Sequence, residues 1–185
     1  MFYVKMIVRR DSMERKIETK NYLILAVVVV ITVILVFYAR DWYVTTNEYY
    51  AENSAIKDVS REIREDEISN YSLESGKFAI YASSGNNIEI KDFENNFKKA
   101  ITKVNAQDNI LYLNTDEIDS NSFTDNLKDN FATNDKIASR ISSGSQATLY
   151  VFEEGKITQV FNNLENYTQD ELETIMKRME LTNNA

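Results

Sequence analysis

The sequence contains no cysteine, no histidine and no proline among its 185 residues. Without cysteine the chain forms no disulfide bond, performs no thiol redox chemistry and has no thiolate nucleophile. Without histidine it lacks the commonest general base and the commonest metal ligand, which excludes zinc fingers and histidine-dependent catalytic triads. Catalysis by carboxylates or by Ser and Thr hydroxyls stays possible on composition alone, but no sequence motif points to such a site. We therefore expect a protein that is not an enzyme and that carries no metal and no cofactor.

Basic residues are also scarce relative to acidic ones. The formal net charge is -8 and the isoelectric point is about 4.7. Proteins that bind nucleic acid neutralise phosphates with clustered Lys and Arg, so this charge balance argues against a nucleic-acid partner.

One long apolar run dominates the N-terminal part of the chain, because residues 22–39 contain no charged residue. A helix of this length spans about 27 Å at about 1.5 Å per residue, close to the hydrocarbon thickness of a bilayer. Its many β-branched residues favour a strand in water, but in lipid the backbone must satisfy its own hydrogen bonds and a helix is favoured. A buried core helix is disfavoured by the uncharged length. A cleaved signal peptide is disfavoured because Phe37-Tyr38-Ala39 is not a small-x-small site. We predict an uncleaved transmembrane signal anchor over residues 21–40.

Charges on the two sides of this run predict its orientation. Residues 1–20 form a basic tail with six Lys and Arg residues, whereas acidic residues dominate after Arg40. The positive-inside rule places the tail in the cytoplasm, and it makes the chain a single-pass cell-membrane protein with an extracytoplasmic C-terminal domain. Aromatic residues flank the run at the positions expected for a membrane interface: Tyr22, Phe37, Tyr38, Trp42 and Tyr43.

The segment that follows, residues 41–71, contains no helix-breaking residue, since the first glycine of the chain is Gly76. Apolar residues recur there at helical spacing, as in Ile56, Val59 and Ile63. We predict a helical stalk, which either packs on its own domain or forms a weak coiled coil with a second copy. The oligomeric state stays open.

Residues 72–185 show the pattern of one α/β domain. Short apolar strands are predicted over residues 77–82, 109–113, 148–152 and 157–161, and amphipathic helices between and after them. Glu153-Glu154-Gly155-Lys156 is typical of a hairpin turn, and Thr168 is typical of a helix N-cap. The predicted order is β-α-β-α-β-β-α.

This order, and the strand-turn-strand segment from Thr148 to Ile157, resemble the thioredoxin fold over about residues 72–181. Where that family carries Cys-x-x-Cys, this chain has Ser84-Gly85-Asn86-Asn87-Ile88, and Ala147 stands in place of the family's cis-proline. The resemblance therefore implies the scaffold without the redox reaction, and we expect a trans peptide bond before Ala147. The chain looks like a cysteine-free relative of the membrane-anchored bacteriocin transport accessory proteins of Gram-positive bacteria.

The resemblance also suggests where a partner binds. We predict a peptide-binding groove between two loops, and the alternative is an ordinary turn without a ligand. The groove residues are Ser83, Ser84, Gly85, Asn86, Asn87, Ser145, Gln146 and Ala147. Asp116, Glu117 and Asp119 fit a solvated acidic turn better than a cation site, because the spacing does not match a calcium loop.

Two functional hypotheses follow. The first is a redox-inactive, membrane-anchored accessory or scaffold protein whose thioredoxin-like domain binds a protein of an envelope or export machinery. The alternative is a structural subunit of a membrane complex, of secretion or divisome type, assembled through its anchor and stalk.

Overall fold

The computed structural model describes residues 19–52 and 54–183. They belong to two compact units, Met1–Thr45 and Thr46–Ala185. Helix α1 spans Thr19–Glu52, and its part Thr19–Val44 is long and apolar enough to cross a membrane. Its large apolar side chains are exposed to about the same extent all around the helix, for example Leu25 at 58% and Val30 at 57%. The predicted apolar helix is thus confirmed. Most of the predicted basic tail, residues 1–18, lies outside the described residues.

The predicted stalk over residues 41–71 differs from the structure. Helix α1 ends at Glu52, and from Ser54 the chain forms 3-10 turns at Ala55–Asp58 and Glu65–Glu67 before a short helix α2, Ile68–Glu74. The apolar residues that suggested a helical face are buried in the globular unit, where Ile56 is 0% exposed and Ile63 is 2% exposed. These residues are apolar because they pack in the core of their own domain, and not because they form one face of a continuous helix.

Four strands form the central sheet of the second unit: β1 (Lys77–Ser83), β2 (Ile110–Asn114), β3 (Ala147–Glu153) and β4 (Lys156–Phe161). Their order is β2-β1-β3-β4. β1 and β2 are parallel, with Ile80 opposite Leu111, whereas β3 is antiparallel to β1 and places Tyr150 opposite Ile80. β4 returns antiparallel to β3. The predicted strands are confirmed within one or two residues at each end.

Helices cover both faces of this sheet, because side chains along each strand alternate between the faces. One layer contains α3 (Lys91–Lys103) and α6 (Gln169–Arg178), which pack against Ala79 and Tyr81. The other layer contains α4 (Ser120–Phe131) and α5 (Asp135–Ala138), which pack against Phe78 and Ile80. This β-α-β-α-β-β-α chain order with this strand order is the thioredoxin-like fold.

The local turn and cap signals take the conformations that the sequence predicts. Glu154 and Gly155 both have positive φ, 51° and 79°, as a two-residue hairpin between twisted strands requires. Thr168 forms a capping box with Glu171 at the start of α6. None of the described peptide bonds is cis, so the bond before Ala147 is trans as expected.

Candidate functional site

The first predicted loop leaves the carboxyl end of β1. Ser83 is its first residue, is 1% exposed, and donates its hydroxyl hydrogen to Oε1 of Glu94 at 2.9 Å. At the other end, Asn87 accepts a hydrogen bond from the backbone N–H of Glu89 at 3.0 Å and so begins the 3-10 turn Ile88–Ile90 that leads into α3. Both ends of the loop are therefore fixed by side-chain hydrogen bonds.

The middle of the loop is tied to the turn that follows β2. Ser84 donates to Asp116, and the side-chain amide of Asn86 donates to the same carboxylate at 3.2 Å. The backbone N–H of Gly85 donates to Oδ1 of Asn114 at 3.2 Å. Because β1 and β2 are parallel, their carboxyl ends meet at one edge, which is why these two turns lie close enough to bond.

The second predicted loop meets the first directly. Asn87 donates to Oε1 of Gln146 at 3.5 Å, and Gln146 donates to Glu89 at 3.1 Å. Ser145 donates to the carbonyl of Ala147 at 2.9 Å, and Ala147 itself is fully buried in β3 opposite Ser83. The structure thus brings the eight predicted groove residues together. Asn87 and Gln146 bond to each other across the two loops, and most of the remaining polar groups bond to neighbouring residues such as Glu94, Asn114 and Asp116. Ser83 and Ala147 are too buried to touch a ligand.

One exposed apolar residue next to this loop was not predicted as part of the site. Ile88 follows Asn87 and is 73% exposed, although its neighbour Ile90 is 1% exposed. A large apolar side chain in water gains free energy when a partner covers it, at about 25 cal/mol per Å² of buried apolar surface. Ile88 comes before the apolar residues that repeat at helical spacing in α3. Because it does not share that spacing, the sequence indicates that it is exposed.

The second unpredicted residue is Glu94, a fully buried carboxylate in the first turn of α3. Its Oε1 accepts hydrogen bonds from the hydroxyls of Ser54 at 2.7 Å, Tyr81 at 3.0 Å and Ser83 at 2.9 Å. Its Oε2 accepts the backbone N–H of Ala55 at 3.0 Å. Burial, and secondarily the carboxylate, raise the pKa of Tyr81 well above its usual value. The sequence signal for a buried carboxylate here is the position of Glu94 directly after Phe93, on the apolar face of the helix.

A cleft of about 640 Å³ lies at the carboxyl end of β2. It is lined by Glu62, Ile63, Arg64, Glu65, Asn86, Leu113, Asn114, Asp116, Glu117 and Ile118. We call this cavity the β2-end cleft. Its volume is in the range of small-ligand sites, and four of its five charged lining residues are acidic.

The acidic turn itself is not arranged to hold a metal. Across residues 19–52 and 54–183, no group of three or more Asp and Glu side chains has the geometry to hold a metal ion. Asp119 instead accepts the backbone N–H groups of Asn121 at 3.0 Å and Ser122 at 2.8 Å as the N-cap of α4.

No protein-family model and no curated protein sequence matches this chain. Among solved structures, mitochondrial thioredoxin 3 from Saccharomyces cerevisiae in its oxidised form is 14% identical, with 68% of this chain and 99% of that chain covered and a TM-score of 0.44. Thioredoxin f2 from Chlamydomonas reinhardtii is 7% identical, with 66% of this chain and 97% of that chain covered and a TM-score of 0.45.

Proposed function

We propose that this chain is a membrane-anchored, redox-inactive scaffold protein whose thioredoxin-like domain binds a protein partner of an envelope or export machinery. The observation that carries the binding role is the loop from Ser83 to Ile88. Its polar groups are satisfied internally, and its one large apolar side chain, Ile88, is left 73% exposed. A rigid loop that presents an apolar side chain is suited to recognition, because little conformational entropy is lost when it binds.

A catalytic role is disfavoured by the chemistry of the same loop. The chain has no thiol for redox exchange and no imidazole to activate a hydroxyl. The hydroxyls of Ser83 and Ser84 already donate to the carboxylates of Glu94 and Asp116. A carboxylate is a much weaker base than imidazole, so neither serine is activated as a nucleophile.

Membrane attachment is supported by α1 together with the charges before it. The apolar part of the helix is exposed throughout, which in water is unfavourable for so large a surface and in lipid is favourable. The basic residues of 1–20 support an N-terminus in the cytoplasm and a domain outside it. This topology is that of the membrane-anchored accessory proteins which the sequence resembles.

The experiment is purification of the tagged full-length protein in mild detergent, with mass spectrometry of the proteins that remain bound. Ile88→Glu is compared with Leu73→Glu, a matched control because Leu73 on α2 is an equally bulky side chain and is 84% exposed. We expect a discrete partner to be lost from the Ile88 variant and retained by the Leu73 variant.

Two outcomes would contradict the proposal. A partner that both variants retain would exclude the Ser83–Ile88 loop as the binding surface. A partner retained by residues 1–53 alone would favour the alternative, a structural subunit assembled through α1. A shorter chain of this kind keeps the whole of α1 and removes the sheet and the helices that pack on it.

A further inference from the structure

We infer that the β2-end cleft receives an extended polypeptide segment bearing Lys or Arg side chains, which adds to the sheet beside the end of β2. This inference rests on the proposed partner-binding function and names the chemistry of the partner segment. It is carried by an unpartnered stretch of strand edge and by the sign of the charge around it.

The outer edge of β2 is covered only in part by the chain's own residues. The backbone N–H of Tyr112 donates to the carbonyl of Arg61 at 2.9 Å, and the N–H of Ile63 donates to the carbonyl of Tyr112 at 2.8 Å. Residues 61–63 therefore run parallel to β2 as a one-bridge extension of the sheet. This extension ends at once, because Arg64 leads into the 3-10 turn Glu65–Glu67.

The next position along the edge is open. Successive residues of a strand direct their backbone groups to opposite sides, so Asn114, two residues after Tyr112, presents its N–H and C=O to the same outer edge. Within the described part of the chain, no backbone hydrogen bond joins Asn114 to residues 64 or 65. The cleft occupies the space where the added strand would continue, with Ile63 and Leu113 as its apolar floor.

The walls of the cleft determine what kind of segment fits. Four acidic side chains line it: Glu62, Glu65, Asp116 and Glu117. Its basic lining residue, Arg64, is paired with Asp66 at 2.6 Å, and Glu62 is paired with Lys57 at 3.0 Å. Neither Glu65 nor Glu117 has an ion-pair partner among the described residues, so these two carboxylates remain for a ligand. An added strand with basic side chains supplies both the missing ladder bonds and the missing countercharges.

The test measures binding of a fluorescent hexapeptide, Lys-Thr-Lys-Val-Lys-Thr, to the full-length protein in a non-ionic detergent by anisotropy. We expect saturable binding that weakens with salt. Glu65→Lys with Glu117→Lys should reduce the affinity about tenfold, because two attractions, each worth up to about fivefold in affinity, are replaced by repulsions. Glu74→Lys with Asp129→Lys makes the same change of net charge at exposed positions outside the cleft. This control should bind within about twofold of the wild type.

Two peptide controls separate strand addition from simple charge attraction. The same peptide methylated on alternate backbone nitrogens keeps its charge but cannot complete the ladder, and a version with Glu in place of Lys keeps the ladder but reverses the charge. We expect both to lose binding at least about tenfold. Equal binding of the methylated peptide, or equal loss in the cleft variant and its control, would overturn the inference.

The outcome is separable from that of the proposed function. Ile88→Glu lies outside the cleft and should leave hexapeptide binding unchanged. If the partner is captured through Ile88 while no basic peptide binds the cleft, the inference fails and the proposed function stands. If the peptide binds as expected while no partner is captured, the inference about the cleft stands and the proposed partner-binding function through Ile88 fails.

Discussion

Replacement of Glu94 probes the interaction that fixes the start of the globular unit. Its carboxylate joins Ser54 and Ala55, immediately after the end of α1, to Tyr81 and Ser83 on β1. All four donors and the acceptor are buried. Water therefore cannot replace a lost hydrogen bond unless this part of the domain unfolds locally. The free energy of unfolding should therefore depend strongly on this one side chain.

The magnitude differs between two substitutions. In Glu94→Gln the amide oxygen can keep the three hydroxyl donors, but the amide nitrogen then faces the N–H of Ala55, so two donor groups are left facing each other without an acceptor. This costs about 1–3 kcal/mol. Glu94→Leu removes every acceptor and leaves four donors unpaired, and we expect a loss of about 3–5 kcal/mol, a large part of the stability of an ordinary domain.

The assay must report on the globular unit itself. The single tryptophan, Trp42, lies in α1, so its fluorescence does not follow unfolding of the domain. Near-ultraviolet circular dichroism of the tyrosines during urea unfolding, together with hydrogen exchange of residues 54–60, follows it directly. Asp92→Asn, an exposed acid two residues away on the same helix, is the control and should cost no more than about 1 kcal/mol. If Glu94→Leu matched the wild type, the claim that this network stabilises the fold would be refuted.

Two further predictions concern the hairpin and the buried tyrosines. Gly155→Ala should destabilise the domain by about 1 kcal/mol or more in urea unfolding, because Gly155 has φ of 79° and an added Cβ lies 3.3 Å from the carbonyl oxygen of Ser72. Gly76→Ala, whose added Cβ would have no atom within 4 Å, is the control and should not. Burial raises the pKa of Tyr150 to about 12. Above about pH 10 the unfolded chain then binds fewer protons than the folded one, so stability should fall as pH rises from about 10 to about 12. A flat stability profile over that range, measured by circular dichroism, would contradict this.

The sheet and its two helical layers could be predicted because each element carries its own signal. The run 148–152 is short, apolar and rich in β-favouring residues, and Glu154-Gly155 supplies the positive-φ turn that closes the hairpin. In α3, Phe93, Phe97 and Ile101 repeat at helical spacing and are all buried. In these places local preference and tertiary burial agree, so the sequence alone is sufficient.

The segment after α1 could not be predicted in the same way. Ile56 and Ile63 are buried by contacts with the sheet and with α3, and nothing local distinguishes these contacts from those of a helical face. The extended conformation of residues 61–63 depends on the backbone of Tyr112, which is about fifty residues away in sequence. Pairing over such a separation is decided by the whole fold and leaves no periodic pattern to detect.

The site was only partly predictable for a related reason. That the two loops come together follows from the fold, since Ser83 and Ala147 are opposite each other on β1 and β3. Which side chains then face outward depends on how the polar groups pair. Asn87 and Gln146 bond across the gap between the loops, and Ser84 bonds to Asp116. These pairings connect the two sides of the predicted groove, and two other surfaces beside the loops remain available.

Those two surfaces differ in chemistry, and the difference bears on function. Ile88 offers an apolar contact, whereas the β2-end cleft offers carboxylates and an open strand edge. Both are held by the same hydrogen bonds around the Ser83–Asn87 loop, because Asn86 and Asp116 line the cleft while Asn87 begins the turn that carries Ile88. Substitution of Asn87 would weaken partner binding without removing a direct contact, because this residue begins the turn that carries Ile88. Substitution of Asp116 would also remove one of the carboxylates that line the cleft.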